Sequence, residues 1–162
     1  MINHSFEKYL VQTKELFGNT LFINKDNFKH NFSTFGNINS DIIFIKNYIS
    51  DSNEEVIFSN ILKALNLSVD KILTINIHNF SDRANQDINS FLNQLRAKTI
   101  VVLGVEISQM LLKTDDDLDL LRSKKNILFK SNVISTYSIS EMISNPDLKK
   151  YVWHYFCLNS FY

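Results

Sequence analysis

Apolar residues form a continuous run in residues 99–104 (TIVVLG), and a helical pattern of apolar positions follows in residues 105–112. A β-branched run that ends at glycine and leads into an amphipathic helix is typical of a buried parallel strand and its crossover helix. Two further apolar runs, in residues 42–45 and 72–75, each precede a helical pattern. This order predicts an α/β fold, a three-layer sandwich with a mostly parallel sheet of about four strands.

Capping residues mark the starts of further helices. Asp51 or Ser52 is a suitable N-cap, and Ser52 with Glu55 has the spacing of a capping box. Apolar positions in residues 88–95 follow the i, i+3, i+4, i+7 pattern of an amphipathic helix. The pair in residues 145–146 (NP) indicates a last helix, with Asn as its N-cap and Pro at its first position.

Ahead of the sheet, the N-terminal part of the chain has its own pattern. Apolar residues recur at helical spacing in residues 5–17, and residues 20–24 form a short extended piece. Residues 25–40 are rich in asparagine and predict a linker. We therefore divide the chain into residues 1–40, an amphipathic segment with a linker, and residues 41–162, the α/β domain.

The apolar stripe of the N-terminal segment has two interpretations. It either packs back on the domain or forms a segment that orders when it docks on a partner. The aromatic C-terminal helix is likewise either core or interface, because aromatic residues beyond the need of a core are typical of interfaces. The candidate partner-binding residues are Phe6, Tyr9, Leu10, Leu16, Phe17, Phe22, Trp153 and Phe156.

Composition narrows the class of protein. The chain has 162 residues, 44% of them hydrophobic and 21% charged, with 17 basic and 17 acidic residues. Proteins that bind DNA through its phosphates normally show a basic excess, so we expect weak or no direct binding to nucleic acid. No apolar run approaches the roughly 20 residues of a membrane span, and no secretory signal pattern is visible. We expect a cytoplasmic protein without a membrane partner.

Neither cysteine nor acidic clusters indicate a metal site. The single cysteine, Cys157, excludes an internal disulfide and a CxxC motif. Residues 115–117 (DDD) lack the alternation of a calcium loop, whereas acidic side chains suit the start of a helix. We expect neither a metal nor a cofactor.

The order of these elements resembles the uracil-DNA glycosylase superfamily over residues 41–156. The segments that indicate it are residues 44–50 (FIKNYIS), 102–112 and 136–140 (TYSIS). The resemblance implies a glycosylase-like fold. It also implies two functional loops at the sheet edge, one to position water near the sugar and one to stabilise the departing base.

Both loops depart from the pattern of the superfamily. Lys46 stands where the leading glycine falls, Asn47 stands at the acidic position, and Ser138 stands where histidine is typical. The close backbone approach and the imidazole donor are therefore missing, and we expect no catalytic residues. The alternative is an atypical uracil or mismatch glycosylase that uses Asn47.

Within that superfamily, residues 58–73 and 144–157 most resemble the psi-subunit family of bacterial DNA polymerase III. The resemblance implies a non-catalytic accessory subunit of the replicative clamp loader. Its N-terminal segment would dock on the tau or gamma ATPase subunits. Its domain would hold the chi subunit, which contacts single-stranded-DNA-binding protein. It also favours partner docking over core packing for the N-terminal stripe.

Overall fold

A computed structural model describes residues 31–48 and 51–158 of the chain. The strands in this part are β1 (Phe32–Gly36), β2 (Ile42–Asn47), β3 (Leu73–Ile77), β4 (Thr99–Leu103), β5 (Asn126–Leu128) and β6 (Ser131–Thr136). The α-helices are α1 (Ser52–Ala64), α2 (Asp82–Gln94), α3 (Val105–Leu112), α4 (Leu118–Ser123), α5 (Ile139–Ser144) and α6 (Leu148–Leu158). A short 3₁₀ helix, Val69–Lys71, precedes β3.

The six strands form one sheet in the order β1-β3-β2-β4-β6-β5. The inner strands β3, β2, β4 and β6 pair in parallel, whereas β1 and β5 pair antiparallel with β3 and β6 at the two edges. The predicted α/β class is confirmed. The prediction of about four mostly parallel strands is wrong, because the sheet is mixed and has six strands.

Two core clusters lie on opposite faces of the sheet, so the described residues form three layers. On one face, alternate strand residues such as Ile45 and Val102 pack with α2 and α3 through residues such as Ile88 and Ile107. On the other face, Phe44 and its neighbours pack with α1, α5 and α6. Burial on both faces explains why the central strands β2 and β4 are mainly apolar without alternation.

Local hydrogen bonds fix the starts of the helices. The Asp51 carboxylate accepts from the backbone N–H of Asn53 at 2.9 Å, so Asp51 is the N-cap of α1. Asn145 Oδ1 accepts from the N–H of Asp147 at 3.2 Å, in a turn directly before α6. α6 begins at Leu148 and Asn145 is the C-cap of α5, so the predicted helix start with Pro146 as its first residue lies two residues too early. No helix in residues 31–48 and 51–158 is long and apolar enough to cross a bilayer.

The edge strand β1 lies within the segment that the sequence indicated as a linker. Its pairing with β3 runs from Phe32 opposite Ile77 to Gly36 opposite Leu73. Gly36 has a φ of +102°, and a Cβ there would lie 2.3 Å from the carbonyl oxygen of Ile72. Glycine is therefore required for this close approach. The predicted stripe of residues 5–17 and Phe22 lie outside the described residues.

Candidate functional site

The order of the strands creates a switch point at the carboxyl ends of β2 and β4. The chain crosses from β2 to β3 on one side of this point and reaches β6 from β4 on the other side. Ligands of open α/β sheets bind in the crevice at such a point. A cavity of about 270 Å³ lies here, lined by Asn47, Gly104, Val105, Glu106, Ile107, Ser138, Ser140 and Glu141. This cavity is the candidate site.

Asn47 and Ser138, from the two predicted loops, meet in this cavity. Asn47 is the last residue of β2, and its amide oxygen is buried without a hydrogen-bond partner among the described residues. A buried acceptor without a partner costs stability, which makes Asn47 the polar group of the cavity most suited to a ligand donor. Such an oxygen can accept a hydrogen bond from water or from an N–H group.

Ser138 acts as a helix cap. Its hydroxyl accepts from the N–H of Glu141 at 3.2 Å, and its own N–H donates to Glu141 Oε2 at 2.7 Å. These two bonds form a capping box at the start of α5. The spacing of Ser138 and Glu141, three residues apart, is the sequence signal for this role.

Lys46 lies on the other side of the sheet, away from the cavity. Neighbouring residues of a strand point to opposite faces, so Lys46 and Asn47 cannot share one site. The Lys46 ammonium donates to Glu55 Oε1 at 2.7 Å, and its side chain is only 3% exposed. It also lies 5.3 Å from the ring centroid of Phe58. Of the three positions in the two predicted loops, the structure therefore brings Asn47 and Ser138 together and places Lys46 apart from them.

The charged residues that line the cavity in the described part of the chain are Glu106 and Glu141. Both are acidic, and the carboxylate of Glu141 already accepts from the N–H and the hydroxyl of Ser138. Both carboxylates repel a developing anion in this cavity. The electrostatics favour water or a cationic or neutral donor as the occupant.

Arg122 is a cation that sequence reasoning missed, and it is held beside this edge. Its guanidinium donates to Thr136 Oγ1 at 2.8 Å, at the end of β6. The same group lies 4.8 Å from the ring centroid of Tyr137 and 4.6 Å from that of Tyr155. Through its contacts with two aromatic rings and a hydroxyl group, the Arg122 side chain connects α4 with β6 and α6.

The acidic residues 115–117 serve the start of α4. The Asp117 carboxylate accepts from the N–H of Leu120 at 2.8 Å, which confirms the predicted helix start. Asp116 forms an ion pair with Lys124. The hydrogen bond from Lys124, followed by that from Thr114, lowers the pKa of Asp116. No group of potential metal ligands occurs in the part of the chain that the structure describes.

A buried carboxyl group on α1 leads to a pH-dependent prediction. Burial raises the pKa of Glu54 above its ordinary value of 4.5, and the charge of Asp51 raises it further. The folded state therefore favours the neutral acid, and its stability falls as the pH rises through the folded-state pKa. We expect Glu54→Gln to raise the melting temperature at pH 7, with a gain that disappears below pH 4.5.

Thermal unfolding followed by circular dichroism between pH 4 and pH 8 measures this gain. Asp70→Asn removes a carboxylate at an exposed position and serves as the control, which we expect to leave the melting temperature nearly unchanged. A difference between Glu54→Gln and the natural chain that stays constant over this pH range would contradict the prediction.

The C-terminal aromatic residues divide between surface and core. Trp153 is 45% exposed and lines an apolar cavity of about 270 Å³ between α1 and α6. Phe156 is 2% exposed and packs in the core cluster beside Val152. Phe156 is therefore a core residue, which corrects its assignment to partner binding. Trp153 lies at a position that a partner can reach.

Comparisons with known proteins complete the description of the site. Neither a protein-family model nor a curated protein matches the chain.

Proposed function

We propose that this chain is a non-catalytic adaptor, a psi-like accessory subunit of a bacterial DNA polymerase III clamp loader in the cytoplasm. The N-terminal segment docks on the tau or gamma ATPase subunits. The domain, with its glycosylase-like order of elements, binds the chi subunit and so reaches single-stranded-DNA-binding protein. The mechanism is linkage, in which one chain raises the effective concentration of partners that interact weakly.

The observation that supports a non-catalytic role most strongly is the use of Ser138 as a helix cap. A residue whose hydroxyl accepts from the N–H of Glu141 and contacts its carboxylate is not free to stabilise a departing base. The remaining charged lining of the cavity is acidic. Partner binding is in turn supported by exposed aromatic groups, of which Trp153 lies beside an apolar cavity.

The alternative, an atypical uracil or mismatch DNA glycosylase, is supported by Asn47 alone. Its buried amide oxygen lacks a partner among the described residues and lies at the switch point, where ligands of this fold class bind. The acidic lining and the neutral charge balance of the chain weigh against this alternative.

Co-elution tests the adaptor proposal directly. The full chain, mixed with purified chi and with purified tau or gamma subunits, is applied to a size-exclusion column in separate and joint runs. We expect a complex with each partner and a larger complex in the joint run. Separate elution of all components at micromolar concentration would overturn the proposal.

The proposal also predicts an absence of base excision. Uracil-containing and mismatched DNA, in single and double strands, is incubated with the full chain and then cleaved with alkali. We expect intact strands, because the two charged residues that line the cavity in the described part of the chain are acidic and disfavour an anionic base. An active glycosylase in parallel confirms the substrates. Excision that disappears in Asn47→Ala would establish the alternative.

A further inference from the structure

Within residues 31–48 and 51–158, one face of the sheet is incompletely covered beside the edge strand β1. On this face, α1 packs over β2. A groove of about 700 Å³ remains between α1 and the two neighbouring strands, β3 and the edge strand β1. Thr74 and Asn76 of β3 line its floor, Phe35 of β1 lines one wall, and Phe58 and Leu62 of α1 line the other.

The same two strands are covered on their opposite face. There, α2 packs over the strands, and the rings of Phe32 and Phe91 lie 5.5 Å apart between centroids. Phe35, which points to the groove face, is 58% exposed. Among the described residues, Phe35 and the other apolar side chains of this groove therefore lack a cover.

The chain itself supplies a segment at the right place. Residues 1–30 precede Asn31, whose carbonyl oxygen accepts from the N–H of His78 at 2.8 Å, directly before β1. The segment thus joins the described fold at the strand that forms one wall of the groove. A helix over residues 5–17 is about 20 Å long, and extended residues 18–31 span up to about 46 Å. The stripe can reach the groove from this point.

We propose that the apolar stripe of residues 5–17 occupies this groove in the free chain. The stripe offers Phe6, Leu10 and Phe17 as apolar cover for the exposed apolar wall of the groove. Occupancy holds the segment on its own domain until a partner binds it. This regulatory role rests on the proposed function, whereas the occupancy rests on the groove alone.

Amide hydrogen exchange of the full chain, measured by mass spectrometry, tests the occupancy. Ser59 lies on the groove wall of α1, and Ser59→Arg fills the groove while arginine favours the helix. Val56, on the same helix, is 57% exposed and does not line the groove, so Val56→Arg is the matched control. We expect residues 5–17 to exchange about tenfold faster in Ser59→Arg and at the original rate in Val56→Arg.

Equal exchange of residues 5–17 in the natural chain and in Ser59→Arg would overturn the proposal. If Ser59→Arg loses its near-ultraviolet dichroism and is therefore not folded, Phe35→Asp on the opposite wall of the groove replaces it in the same exchange measurement. Faster exchange of the stripe in Phe35→Asp supports the proposal, and unchanged exchange contradicts it.

Binding to the ATPase subunits separates this inference from the proposed function. If residues 5–17 hold the groove, emptying it in Ser59→Arg increases the competent fraction, and the apparent affinity rises by about the same tenfold factor. If the amides of residues 5–17 are protected in the natural chain but the chain does not bind the ATPase subunits, the adaptor function is refuted and the occupancy of the groove stands. If the natural chain and Ser59→Arg bind the ATPase subunits with equal affinity and these amides are unprotected, the occupancy is refuted and the adaptor function stands.

Discussion

Phe17→Ala and Phe22→Ala are each expected to weaken binding of the full chain to the clamp-loader ATPase subunits at least thirtyfold. An aromatic anchor buried at the centre of an interface contributes about 2 kcal/mol or more, which corresponds to roughly thirtyfold in the dissociation constant. The melting temperature should change little, because the stripe has to leave the proposed groove reversibly, without unfolding of the domain, whenever a partner binds it. Isothermal titration calorimetry with tau or gamma measures the affinity.

Glu7→Ala is the matched control on the same predicted helix, since Glu7 lies off the apolar stripe. We expect it to keep the original affinity. Deletion of residues 1–24 should abolish the binding and leave the domain folded by near-ultraviolet dichroism. If this deletion unfolds the domain, the stripe belongs to the core and the docking function fails.

Gly36→Ala is expected to cause a large loss of stability. The φ of Gly36 is +102°, and the added Cβ would lie 2.3 Å from the backbone carbonyl oxygen of Ile72. Backbone strain and displacement of a paired strand together cost about 3 kcal/mol. For a chain of this size the melting temperature should fall by roughly 6 to 12 °C in differential scanning calorimetry.

Gly104→Ala is the control that separates the effect of a positive φ from the effect of the close contact of the new Cβ at Gly36. The φ of Gly104 is +132°, but its nearest neighbours would lie 3.6 Å or more from the new Cβ. We expect a smaller decrease of the melting temperature in this variant. An unchanged melting temperature in Gly36→Ala would show that β1 does not pair with β3 in solution.

The inner strands could be predicted from sequence because they are buried on both faces. The runs in residues 42–45 and 100–103 contain no polar residue, as expected for strands that are covered on both faces, whereas Thr74 interrupts the run in residues 72–75. The two edge strands escaped prediction for the opposite reason. β1 has the partly polar sequence FSTFG, and β5 has only three residues. Its turn to β6 places Phe129 and Lys130 at positive φ, where asparagine and glycine are typical.

The candidate site could be predicted only in part. The convergence of Asn47 and Ser138 followed from the rule that parallel strands end at one edge. The separation of Lys46 from Asn47 also follows from sequence, since adjacent strand residues point to opposite faces. The partner of Lys46 could not be predicted, because Glu55 reaches it from α1 only through the packing of that helix on the sheet.

The position of β1 at the edge has a consequence during synthesis of the chain. Phe32 pairs with Ile77, which the ribosome adds 45 positions later. At the usual 5 to 20 residues per second, β1 waits for roughly 2 to 9 s before its pairing partner exists. The groove between β1, β3 and α1 cannot form before β3 exists, so the proposed docking of the N-terminal stripe has to follow the synthesis of β3.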